Sequence, residues 1–212
     1  MNRVFIDAAG TVTSLNTVSS QKRKYELKAR AEAQEATRAR IAAAAASLHR
    51  EVGVAKTTVA DIARRAGVQR LTVYNHFPDL ATLLPACSEH WLAESPMPDL
   101  APAFALEDPA ERLRTALGLL YGWYRDTAPM LRAVFGERAA VPELDAWLAQ
   151  SADAMLAELA ARLSEGFDRA LVALALDFWT WQRLDREGLD DAAAAELMSR
   201  SIQAVAKLTF GK

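Results

Sequence analysis

Cysteine is nearly absent. Cys87 is the one cysteine in 212 residues, so the chain closes no internal disulfide. A lone thiol fits a reducing compartment, and its simplest use is as a small buried hydrophobe. Long apolar runs are missing as well, since no stretch approaches the roughly 18 uninterrupted apolar residues that a membrane helix needs. The first residues lack a basic segment followed by an apolar core. The expectation is therefore a cytoplasmic protein with no membrane partner. Histidine is scarce: His49, His76 and His90 are scattered and show no metal-ligand spacing. No Gly-rich phosphate loop, nucleophile elbow or paired-cysteine motif occurs. The sequence thus predicts no catalytic residue, no metal and no cofactor.

What is present suits a soluble globular protein: 51% hydrophobic and 25% charged residues in a chain long enough for one large domain or two small ones. The net charge of −2 conceals an asymmetry. Residues 1–80 hold 13 Lys and Arg against 7 Asp and Glu, whereas residues 81–212 hold 12 against 20. A basic head on an acidic body is the distribution expected of a protein whose first third faces DNA.

The stretch at residues 57–77, TTVADIARRAGVQRLTVYNHF, carries the strongest local signal. Val59, Ile62, Ala63 and Ala66 recur at helical spacing, Thr57 or Thr58 can cap the first turn, and Gly67 can turn the chain out of the helix. A second helix is predicted over 69–76, with Val68, Leu71 or Thr72, Val73 and Phe77 facing inward. Two short helices joined by a glycine turn, the second with a polar outer face, make a helix-turn-helix.

With Ile41, the alanine run, Leu48, Gly53, Thr58, Asp61, Ile62, Ala63, Ala66, Gly67, Val68, Thr72, Tyr74, His76, Phe77, Pro78, Leu83 and Leu84, residues 40–84 resemble the DNA-binding domain of the TetR family of bacterial transcriptional regulators. Three positions depart from the family pattern. His49 stands where a core aromatic is usual, Gln69 where a serine cap is usual, and Leu80 where a phosphate-contacting lysine is common. The resemblance implies an all-α fold: a three-helix helix-turn-helix domain followed by a larger helical domain for ligand binding and dimerisation.

Along the rest of the chain, residues 1–20 read as a mobile extension with a strand-like patch at 4–6. A long helix over 21–52 follows, whose first half is basic and poor in large apolar residues. The DNA-binding domain with this arm is assigned to 21–90 and the effector and dimerisation domain to 91–212, across a proline-rich boundary. Helices are predicted over 80–93, 108–125, 129–137, 142–164, 168–186 and 190–208.

The predicted DNA contacts divide by reach. Arg70 can pair bidentately with guanine, Gln69 can read adenine, and Thr72 can touch a thymine methyl or a phosphate. Tyr74 and His76 match family positions that hold phosphates, and Asn75 shares their face. Lys56, Thr57 and Thr58 can bind a phosphate at the first helix start. Lys22, Arg23 and Lys24 form a basic arm that adds sequence-independent affinity.

In the body, Tyr121, Trp123, Tyr124, Met130, Phe135, Trp147 and Met155 fall on consecutive helices and are expected to line a small-molecule pocket. The run LVALALDFWTWQRL over 171–184 is apolar on almost every face. It predicts a two-fold four-helix seam using Leu171, Leu174, Phe178, Trp179, Trp181, Leu184, Leu197, Ile202 and Val205. Asp177 is expected to be partly buried and hydrogen-bonded there. The reading is a dimeric regulator, a repressor released from a double-stranded DNA operator by a mostly apolar effector. Its alternatives are a ligand-independent regulator of the same fold, or an enzyme using the body's cavity.

Overall fold

The computed structural model describes the backbone of residues 5–6, 12–13 and 15–210 and the side chains of residues 23–208. Its spine is α1 (Leu15–Val52), a 38-residue helix that the rise of about 1.5 Å per residue makes roughly 57 Å long. The helix starts at Leu15, not at residue 21, because extending an existing helix is far easier than nucleating one. That shortens the extension expected over 1–20. Within it Phe5–Ile6 (β1) pairs with Val12–Thr13 (β2), and the rest of its expected mobility lies outside the described residues. Side chains 23–36 are all exposed, whereas Ile41, Ala42, Ala45 and Leu48 are buried. One helix therefore serves as a solvated basic arm and, from Ile41 on, as a wall of the first core.

That core is closed by α2 (Val59–Ala66), α3 (Arg70–His76) and α4 (Leu80–Glu94), through Ile62, Ala63, Ala66, Val73, Phe77, Leu83 and Cys87. After an extended stretch, the short α5 (Ala101–Phe104) leads into α6 (Pro109–Glu137). Sequence reading splits α6 at Pro129, but the helix runs through it. A proline removes one backbone bond, and here buried Tyr121, Tyr124 and Thr127 before it and Met130 and Leu131 after it hold both halves on one core.

Two other predicted helices are broken. The 142–164 segment divides at Ser151 into α7 (Pro142–Gln150) and α8 (Ala152–Leu163). The 168–186 segment divides at Asp177 into α9 (Arg169–Leu176) and α10 (Phe178–Arg186). Asp177, half-buried, caps α10 by accepting from the Trp179 and Thr180 amides at 2.8 and 3.1 Å. The carbonyls left over at the end of α9 are met from α6: Tyr121 Oη donates to Ala175 O and Tyr124 Oη to Leu176 O, both at 2.7 Å. The last helix, α11 (Asp191–Phe210), packs along α6, and Asp190 caps it.

Candidate nucleic-acid interface and body cavity

Thr58 caps α2 and is locked to Asp61: its hydroxyl accepts from the Asp61 amide at 3.1 Å and donates to the Asp61 carboxylate. Gly67, with φ of 67°, makes the turn that a side chain would strain. At the start of α3 the Gln69 side chain makes no capping bond, so it stays available outside.

Gln69, Arg70, Tyr74 and Asn75 are exposed, and Thr72 and His76 are half-buried beside them. All six predicted DNA contacts are therefore at least partly open to solvent. Leu71 overturns half of an either-or expectation: it is 67% exposed, and Thr72 is the inward neighbour. At 100° per residue Leu71 stands about 200° from buried Val73, so helical phase already decides the point. Lys56 and Thr58 are exposed and Thr57 is half-buried. The Thr57 hydroxyl donates to Gly53 O at 2.6 Å and the Thr58 hydroxyl to the Asp61 carboxylate, so neither hydroxyl stands free at this corner. Arg23 and Lys24 lie exposed on α1; the Lys22 side chain is outside the described residues.

One positioning group escaped the sequence reading. Arg38 donates to His76 O at 3.0 Å and stacks over the Phe77 ring at 4.2 Å. It thereby clamps the end of α3 to α1.

The second feature is an apolar cavity of about 280 Å³. Six of the seven predicted pocket residues line it: Trp123, Tyr124, Met130, Phe135, Trp147 and Met155. Tyr121 does not. It sits wholly buried beneath the wall, with its hydroxyl committed to α9. The unexpected walls come from α1, which contributes Ala46 and His49, and from α4, which contributes Leu84, Cys87, Ser88, Trp91 and Leu92. Trp91 meets Trp123 with ring centroids 5.6 Å apart. The signal for this was legible in part, since His49 interrupts an otherwise apolar face. Burial lowers the His49 pKa to about 4, outweighing the attraction of Glu137, so the ring is neutral at neutral pH. Burial likewise pushes the Cys87 thiol up to about 12, which keeps it from acting as a thiolate.

Head and body also meet at the end of α6. Glu137 Oε2 accepts from the Ala55 amide at 2.9 Å, in the loop that leads to α2. Gly53 in that loop has φ of 89°, and a Cβ there would overlap the Glu137 carboxylate. The loop is therefore seated on α6 by a contact that needs both the glycine and the acid.

Of the predicted seam residues, Leu174, Trp179, Leu197 and Val205 are exposed, and Leu171 and Leu184 are half-buried. Phe178, Trp181 and Ile202 instead belong to the protomer's own core, at 1%, 2% and 2% exposure. The break at Asp177 shifts the helical phase, turning Phe178 and Trp181 inward onto Tyr124. Among the described residues no cluster of His, Cys, Asp and Glu is arranged to hold a metal ion, and no helix is long and apolar enough to cross a membrane.

A supported helix-turn-helix with an outward polar second helix, carried on an all-helical body, defines a DNA-binding regulator of transcription. Residues 41–87 match the family model for bacterial regulatory proteins of the tetR family, so this is a TetR-family head. Among solved structures, a regulator from Rhodococcus sp. assigned to that family superposes with a TM-score of 0.57 at 18% identity, over 81% of this chain and 99% of its own. A TetR-like transcriptional regulator from Rhodococcus sp. RHA1 superposes with a TM-score of 0.54 at 22% identity, over 82% and 95%. At these identities the likeness beyond the head is one of fold. No curated protein matches the sequence.

Proposed function

We propose that the chain acts in the cytoplasm as a homodimeric one-component repressor. Its head binds a pseudo-palindromic operator, and a small, mostly apolar effector in the body's cavity releases it. The observation that carries this reading is the shared wall: α1 and α4 build the DNA-facing head on one side and line the cavity with α6 and α7 on the other. A ligand there touches the helices that set the head's orientation, and a ligand shifts conformations only by its differential affinity for them. The direct test is a gel shift with the DNA upstream of the protein's own gene, combined with a thermal-shift screen of apolar compounds. A compound that raises the melting temperature should also free the DNA, and stabilisation without release would contradict the reading.

The route of coupling runs through Glu137. Met130, Leu131, Val134 and Phe135 of α6 face the cavity, and Glu137 one half-turn on holds the loop before α2. In Glu137→Ala the effector should still bind, but the ratio of DNA affinities without and with effector should fall toward one, from the about 5- to 150-fold range usual for such coupling. Glu137→Gln, which keeps an acceptor for the Ala55 amide, should retain most of it. Equal coupling in wild type and Glu137→Ala, measured by DNA titrations with and without effector, would remove this route.

The basic arm gives a separate expectation. Exposed cations on α1 should strengthen binding to every DNA sequence alike through counterion release. Lys22, Arg23 and Lys24 changed together to alanine should lower the slope of log K against log salt by up to about 0.9 for each phosphate the arm no longer neutralises. An unchanged slope would make this half of α1 a solvated helix only.

A further inference from the structure

The cavity wall is apolar almost throughout, yet His49 interrupts it from α1. The residue is 3% exposed, and no hydrogen bond joins its ring to another described residue. Three other polar groups of the wall are committed, Tyr124 Oη to Leu176 O, Trp123 Nε1 to Ser95 O and the Ser151 hydroxyl to Trp147 O, while Ser88 and the indoles of half-buried Trp91 and Trp147 also line it. A ring nitrogen without a protein partner beside a cavity is open to a hydrogen bond from a bound molecule. No Lys, Arg, Asp or Glu lines the space, so a carboxylate or an ammonium would enter without a counter-charge. An apolar cavity of about 150 Å³ accepts benzene, and this one, at about 280 Å³, is close to twice that size.

From these observations we infer that the cavity takes an uncharged molecule of about two fused rings bearing one hydroxyl or similar hydrogen-bonding group, and that His49 is the residue that reads that group. The inference rests on the reading of the cavity as an effector site and adds the chemical class of the effector. A neutral imidazole offers one N–H donor and one lone pair, so it can accept from a hydroxyl or donate to it. Ser88, half-buried, lines the same cavity with a second hydroxyl. The aromatic side chains then serve as flat apolar walls for the ring system.

The experiment is calorimetric titration of the full-length protein with 2-naphthol, 2-methylnaphthalene and 2-naphthoate, which share a ring system and differ in one substituent. The naphthol should bind roughly three- to tenfold more tightly than the methyl compound, the range of one net hydrogen bond. The naphthoate should show no saturable binding. In His49→Phe the advantage of the naphthol should vanish, and in His49→Gln it should persist in part. Equal affinities for the naphthol and the methyl compound in the wild type overturn the role of His49 while the cavity remains an effector site. The same holds if the naphthol keeps its advantage in His49→Phe. Tight binding of the naphthoate overturns the uncharged class. Failure of both neutral compounds to bind overturns the inference together with the cavity reading beneath it. The comparison of the two neutral compounds needs no variant, so a His49 variant that does not fold leaves the inference fully testable.

Discussion

Changing Trp179 and Leu197 together to glutamate is expected to give a monomer that no longer holds a two-half-site operator. Leu174 and Trp179 of α9 and α10, and Leu197 and Leu208 of α11, are 53%, 42%, 45% and 85% exposed in the single chain. Along α11, Leu197, Ser201, Ala204 and Leu208 recur at helical spacing, a stripe of apolar and small side chains with no partner in the protomer's core. A second copy would cover these surfaces by a two-fold axis, so each substitution enters the seam twice. An unpaired carboxylate buried there costs several kcal/mol, enough to dissociate most bundles of this size. The protomer should survive, because Phe178, Trp181 and Ile202, which hold its core, are untouched. DNA affinity should fall with dimerisation, and the salt slope should drop to about half, because only one head then neutralises phosphates. Light scattering that still reports a dimer would show that the chains associate elsewhere.

The second large effect is expected at Arg70. It opens α3 and is exposed, while Val73 and Phe77 of the same segment are buried in the head's core. A guanidinium in the first turn of a recognition helix can reach guanine O6 and N7 together. Arg70→Ala should therefore cost about 1–3 kcal/mol per half-site and relax preference at one or two base pairs. Tyr74→Phe should weaken specific and non-specific binding in proportion, since a phosphate contact carries no sequence information. Fluorescence anisotropy with an operator panel substituted one base at a time separates the two. An Arg70→Ala protein with an unaltered base preference would take Arg70 out of the reading role and leave exposed Gln69 and Leu71 as the nearest candidates.

The head was legible in the sequence because its signals are local. The Thr58 cap, the Gly67 turn and the spacing of Ile62, Ala63 and Val73 each act within a few residues, and all agree. The body was legible only as helix. Pro129 reads locally as a stop, yet packing on both sides overrides it. Asp177 reads as an intruder in an apolar helix, although an aspartate accepting from amides two and three residues on is a helix start. That misplaced phase sent Phe178 and Trp181 to the predicted seam. The aromatic cluster was visible as composition, but its cavity depends on α1 and α4 crossing α6 and α7. No window of sequence contains that crossing, which is why His49, Cys87 and Trp91 were not foreseen as its walls and Tyr121 was wrongly included. Arg38 and Glu137 act across 38 and 82 residues, respectively, and left no periodic trace.

Selection of binding sites from random double-stranded DNA by the purified protein bears most directly on the central claim, that two copies of this head read DNA together. The account predicts enrichment of one inverted repeat, with half-sites about one helical turn apart or a multiple of it. A compound that binds the cavity should abolish that enrichment. Recovery of DNA with no enriched sequence, or of a single unrepeated element, would contradict it.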